Sequence, residues 1–260
     1  MTAQPDPGTR RPRTGFWFGL VVAIVKPTLM VLTKRDWRGA ENLPKTGGIV
    51  VVANHVSHFD PVVLGHYLYD NGRIPRLLGK ASLFEIPVFG RIIRNAGQIP
   101  VYRGSTDAAK AFGAAVEAIE RGECVVFYPE GTITRDPAQW PMTGKTGAAR
   151  VALMTGCPVI PVAQWGPQEV YAPYGHKVRL LPRKTMHLAA GGPVDLSAFQ
   201  GKPVTPGLLQ QATTVLMNAV AAELGPLRGE TPPQELYDVR KARAAEAQRS
   251  TESDDGEESR

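Results

Sequence analysis

The chain has 260 residues, 43% hydrophobic and 21% charged, which is enough for one sizeable hydrophobic core and short for two. Its formal charge of +6 is unevenly spread. Residues 230–260 hold nine acidic and five basic side chains, so residues 1–229 carry 25 basic against 15 acidic, a field that favours anionic partners. Two cysteines, Cys124 and Cys157, exclude a disulfide framework and a cysteine metal cluster; both sit in or beside apolar runs and read as buried thiols. No repeat at the periods of solenoids or propellers is present.

Residues 1–14 mix Pro, Gly, Thr and Arg without apolar periodicity and read as a mobile basic arm. From Phe16 to Thr33 the chain is apolar apart from Lys26-Pro27. A hydrocarbon core is about 30 Å thick, so this stretch is barely long enough to span it, and a lysine near its middle opposes spanning. Arg10, Arg11 and Arg13 on one side and Lys34, Arg35 and Arg38 on the other give no charge asymmetry to orient a span. Residues 15–33 are therefore expected to lie in a membrane interface, with Trp17 and Trp37 as anchors; a core helix of the domain is the alternative.

After the turn at Leu43–Gly48, Ile49-Val50-Val51-Val52-Ala53 is continuously apolar and rich in β-branched residues, the pattern of a strand buried on both faces. Asp60-Pro61 reads as an N-cap and first helical position, with the helix reaching about Tyr69. A second strand is expected near 76–79, ending at Lys80. Next come the apolar segment Leu83–Gly90, edged by Arg91 and Arg94, and a third strand, 98–102, which delivers Arg103 to its carboxyl end and whose Pro100 suits an edge. A helix from Ser105 to Arg121 stops at Gly122. The fourth strand, 124–128, leads into Pro129-Glu130-Gly131-Thr132. Gly144-Lys145-Thr146-Gly147 lacks the earlier glycine of a nucleotide-binding P-loop and reads instead as a helix start carrying Lys145. A helix to Gly156, a strand at 159–163, strands near 178–181 and 185–189, and a helix from about Pro206 to Leu224 complete residues 34–229. Residues 230–260 read as a charged, largely solvated tail. The expected fold is one α/β domain with a central mixed, largely parallel sheet flanked by helices, preceded by the apolar interface helix.

Chemistry gathers in the turn Asn54-His55-Val56-Ser57-His58-Phe59-Asp60. An imidazole at the carboxyl end of a buried strand stands where α/β sheets bind ligands, and its unperturbed pKa of about 6.5 lets it accept a proton near neutrality. A carboxylate five residues on could hold its tautomer. Two other readings stay open at this point. Asp60 could be only a cap and His55 only a turn residue, or His55, His58 and Asp60 could be part of a metal site, although no further His or Cys cluster supplies the missing ligands.

Four stretches in order resemble the glycerolipid acyltransferase family, in particular its 1-acyl-glycerol-3-phosphate (lysophosphatidate) acyltransferases. They are Asn54-His55…Asp60-Pro61, Gly97–Arg103, Tyr128-Pro129-Glu130-Gly131-Thr132 and Val159-Ile160-Pro161-Val162. The resemblance covers about residues 50–165. It implies that His55 is the general base and Asp60 its orienting partner, and that Arg103 with Glu130, Gly131 and Thr132 binds the glycerol phosphate; Lys80 and Lys145 are further candidate cations. It also implies acyl transfer from acyl-CoA or acyl carrier protein to lysophosphatidic acid, no metal or other cofactor, no nucleic acid, contact with anionic lipids, and a place at the cytoplasmic face of the cell membrane. One departure stands out, because the family usually has arginine directly after the third-block threonine and here Ile133-Thr134 precede Arg135. A different lysolipid or glycolipid acceptor is the alternative within the chemistry, and a non-catalytic module docking on anionic membranes the alternative outside it.

Overall fold

The computed structural model describes residues 15–101, 105–245 and 248. The expected arm over 1–14, Arg103 and the end of the acidic tail lie outside them. In chain order the elements are α1 (Phe16–Leu32), β1 (Thr33–Arg38), β2 (Ile49–Ala53), α2 (Asp60–Asp70), β3 (Pro75–Lys80), α3 (Ala81–Glu85), α4 (Phe89–Asn95), β4 (Ile99–Val101), α5 (Ser105–Glu120), β5 (Cys124–Phe127), α6 (Gly147–Thr155), β6 (Val159–Trp165), α7 (Pro167–Val170), β7 (Lys184–Ala190) and α8 (Pro206–Arg228).

The strands form one seven-stranded sheet in the order β1-β7-β6-β2-β5-β3-β4. Every pairing is parallel except β6 with β7. All five residues of β2 are buried because both faces of the central strand are covered. Val50 and Val52 pack with α5, α6 and α8 through Ala115, Ala149 and Leu216, whereas Ile49, Val51 and Ala53 pack with α2 through Leu64 and Tyr67. A strand sandwiched in this way has no polar face to alternate with, hence its uninterrupted apolar sequence. Pro100 lies on β4 at the sheet edge, where a missing N–H is tolerated.

Three expectations of secondary structure need correction, at Thr33–Arg38, at 178–181 and at Asp60. Thr33–Arg38, read as a basic flank of the apolar stretch, is an edge strand in parallel register with β7. Conversely, the expected strand at 178–181 is a loop with a single bridge, Tyr171 to Val178; Val178 and Leu181 are exposed, so the apolar run has no sheet face to bury against. Asp60 is the first helical residue of α2 and not its cap. The Lys26 ammonium, whose charge opposes spanning, pairs with Asp70 at the end of α2, which also accepts from Arg35. Beyond Arg228 the chain does not leave the domain at once. Leu236 packs beside Trp140, and the Tyr237 carbonyl accepts the Thr143 N–H at 3.0 Å.

Lys26, Phe18 and Leu29 turn one side of α1 onto the domain, Phe18 meeting the Tyr69 ring. The opposite side carries Phe16, Leu20, Ile24 and Val31, all exposed. Among the described residues no helix is long and apolar enough to cross a membrane.

Candidate active site

Because β2, β5, β3 and β4 run parallel, their carboxyl ends open on one edge of the sheet, and the segments carrying chemistry follow from those ends. His55 leaves β2, Glu130 and Gly131 follow β5, Lys80 ends β3, and Arg103, outside the described residues, follows β4.

The turn after β2 wraps around one carboxylate oxygen. Asp60 Oδ2 faces His55 Nδ1 at 2.7 Å and accepts the backbone N–H groups of Val56 at 2.6 Å and Ser57 at 2.8 Å. An oxygen receiving two N–H donors acts as an acceptor toward the ring as well. The network therefore assigns the ring proton to Nδ1 and leaves Nε2 with its lone pair. Asp60 is fully buried while the His55 side chain remains 16% exposed, so the orienting group is dry and the base within reach of a ligand. Burial raises the Asp60 carboxyl above the usual carboxylate range, and the bonds from His55, Ser57 and Val56 act against that rise. His58 does not join the pair; its ring lies beside Tyr171. Among the described residues no three His, Cys, Asp or Glu side chains are grouped to hold a metal.

The third-block loop closes over this turn. The Tyr128 ring stacks at a tilt on His55, with centroids 4.6 Å apart. Glu130, only 6% exposed, accepts the His55 N–H at 2.8 Å with Oε1 and the Met142 N–H at 3.1 Å with Oε2. Each of its oxygens thus accepts one backbone N–H. Gly131 takes φ +69°, a left-handed conformation, and a Cβ on it would come within 2.7 Å of Lys145 Nζ. Lys145, held through its own N–H to the Pro129 carbonyl at 2.8 Å, therefore overhangs this turn. Thr132 follows half-buried, and Ile133 after it is buried at 2%, so the position where the family usually has arginine points into the protein.

A family model described as Acyltransferase matches residues 34–165. The chain belongs to the acyltransferase family. Among curated acyltransferases, a chloroplastic 1-acyl-sn-glycerol-3-phosphate acyltransferase from Brassica napus is 33% identical over 51% of this chain and 38% of its own length. The 1-acyl-sn-glycerol-3-phosphate acyltransferase of Escherichia coli is 31% identical over 56% of this chain and 53% of its own. The chain thus spans about half or less of the length of these relatives. In fold it is similar to the crystal structure of the 1-acyl-sn-glycerophosphate (LPA) acyltransferase from Thermotoga maritima, with a TM-score of 0.60 at 23% identity over 83% of this chain and 81% of that one.

Of three further residues that build this site, Asn54 was named with the first block but given no role, and Gln164 and Arg228 were not anticipated. Asn54 and Gln164, both fully buried, exchange three hydrogen bonds of 2.7–3.0 Å that fasten the end of β2 to β6. Arg228 lies between the rings of Trp140 and Trp165 at 4.3 and 4.6 Å and donates to the Ala138 carbonyl, so the end of α8 clamps the third-block loop. Asn54 is itself part of the first block. Gln164 and Arg228 carry no local signal.

Proposed function

We propose that the protein transfers a fatty acyl group from an acyl-CoA or acyl carrier protein thioester to the sn-2 hydroxyl of 1-acyl-glycerol-3-phosphate, giving phosphatidic acid. The observation that carries this reading is the 2.7 Å His55–Asp60 pair with Nε2 left as an acceptor at the sheet edge. His55 Nε2 takes the proton of the hydroxyl as its oxygen bonds to the thioester carbonyl carbon. The C–S bond then breaks, and the imidazolium returns the proton to the leaving thiolate. A secondary hydroxyl is a weak nucleophile, and a positioned base contributes about 10²–10⁴-fold. Asp60 stabilises the imidazolium from behind. A thioester is already activated, so the scheme needs neither an acyl-enzyme intermediate nor a metal or other cofactor. Lys145 over Gly131, Lys80 at the same edge and, on sequence grounds, Arg103 are the cations for the acceptor phosphate.

The exposed apolar side of α1, with exposed Leu83, Ile86, Val88 and Phe89 around α3 and α4, supports docking on a membrane surface, where Arg91 would meet anionic headgroups. Lys26 pinned to Asp70 favours α1 lying along the interface. The cytoplasmic face of the cell membrane is the proposed location. The buried Ile133 favours a second acceptor reading, another lysolipid or a glycolipid, which a panel of acceptors separates from the first.

The test incubates purified protein in detergent with acyl-CoA and lysophosphatidate, following free thiol together with lipid product. Coupled appearance of both, abolished in H55A at unchanged Tm, is expected. Thiol release that H55A leaves intact would refute the assignment.

A further inference from the structure

Glu130 is an acid beside the base that the reaction above leaves without a task. It does not face the open edge. Its carboxyl spans two pieces of backbone far apart in sequence, with Oε1 on the His55 N–H and Oε2 on the Met142 N–H. The His55 carbonyl in turn accepts the Thr134 N–H at 2.7 Å. Residue 55 is therefore gripped on both sides of its Cα by the segment that begins at Glu130. That segment is itself closed into a compact loop. Thr134 Oγ1 donates to the Trp140 carbonyl at 2.8 Å, Asp136 Oδ2 accepts the Trp140 N–H at 3.1 Å, and the Glu130–Met142 bond joins the loop's two ends.

We infer that Glu130 is a positioning residue, which fixes the backbone of His55 so that its imidazole meets the acceptor hydroxyl, and is not a ligand of the acceptor. This rests on the acyl-transfer reading and deepens it. The chemistry of the side chain supports the role. Two N–H donors converge on two oxygens, and only a carboxyl group offers an acceptor at both. A glutamine has one acceptor oxygen, so its NH₂ would confront the second N–H donor to donor, and either the His55 turn or the Met142 end would be released. A displacement of about 1 Å in a base costs on the order of 10²-fold in rate, since the reacting atoms must lie about 3–3.5 Å apart. Burial supports the assignment from the other side, because at 6% exposure Glu130 offers little surface to a glycerol hydroxyl.

The experiment uses E130Q in the full chain with two readouts. In steady-state transfer from acyl-CoA to lysophosphatidate, kcat should fall about 10²-fold with the acceptor KM unchanged within about twofold. In amide hydrogen exchange, which needs no turnover, His55 or Met142 should lose protection while Val50–Val52 of β2 keep theirs. A raised acceptor KM at wild-type kcat, or undiminished protection at both amides, would overturn the inference. Failure of the acyl-transfer reading is told apart because it shows in the unmutated protein as absence of transfer, and the exchange measurement then still decides the role of Glu130. Should E130Q not fold, E130D is measured in its place. It retains the carboxyl group but is one methylene too short to reach both amides, and the same two outcomes apply.

Discussion

Replacing Asp60 by asparagine separates the orienting role of the carboxylate from its structural one. An amide oxygen at the Oδ2 position can still accept from Val56 N, Ser57 N and His55 Nδ1, and the amide nitrogen falls where Oδ1 now stands buried without a partner. The fold therefore keeps its three bonds. What they lose is charge assistance, about 1 kcal/mol each. Against this, the charge that burial disfavours, as the raised Asp60 carboxyl records, is gone as well. The two effects oppose, and Tm should move by only a few degrees. Catalysis has no such compensation, because the imidazolium formed as His55 takes the proton needs a full negative charge 2.7 Å away. Losing that partner in a dry site should lower kcat about 10³-fold, equivalent to about 4 kcal/mol of barrier. The assay is thiol release from acyl-CoA with lysophosphatidate, run beside a thermal melt. A D60N protein retaining a tenth or more of the wild-type rate would refute the dyad. So would a collapse of Tm that accounts for the lost rate.

In G131A, the left-handed φ and the approach of the new Cβ to Lys145 Nζ should cost about 1–2 kcal/mol and push the ammonium aside. A lower Tm with a several-fold higher KM for a phosphorylated acceptor is expected, and an unchanged KM removes Lys145 from the site. R228A withdraws a guanidinium from between two indoles and a bond to the Ala138 carbonyl, so a loss of about 2–4 kcal/mol by denaturant titration is expected; a value below about 0.5 kcal/mol would mean that the clamp is ornamental. The Glu130 carboxyl is pushed by burial up to about 8 in the folded protein, above its ordinary 4.5. A raised acid stabilises the fold fully below pH 4.5 and loses that contribution as pH climbs through about 8. Wild-type stability should thus fall relative to E130Q between pH 5 and 9, and a difference that stays constant with pH contradicts the shift.

Most elements were legible because their patterns are local. The β2 run announces a doubly covered strand, Pro206 opens α8 and Gly156 closes α6 in a left-handed cap. β1 was missed because Thr33–Arg38 is an edge strand with four charged side chains among six residues, and only pairing with β7, some 150 residues away, makes it a strand. The strand expected at 178–181 failed for the converse reason, since it has apolar residues but no neighbouring edge to complete. In the site, the pairing of His55 with Asp60 was readable because a five-residue turn can bring the two side chains together only locally. Glu130 was readable as a member of the site, but its contacts to the His55 and Met142 amides were not. A motif gives a residue's position along the chain and not the direction of its side chain.

Sequence alone determined which local segments could form: a buried apolar strand, the imidazole and carboxylate in the turn behind it, and an apolar helix at the start. These depend on periodicity and on distances of a few residues, which a linear pattern encodes. Tertiary structure decided which segments became neighbours. Placing β5 beside β2 set a carboxylate 75 residues distant on the backbone of His55, and the packing of α1 on α2 gave Lys26 its partner. Those contacts arise from sheet order and layer packing, which satisfy the buried polar groups of the whole domain together and so have no signature in any single stretch.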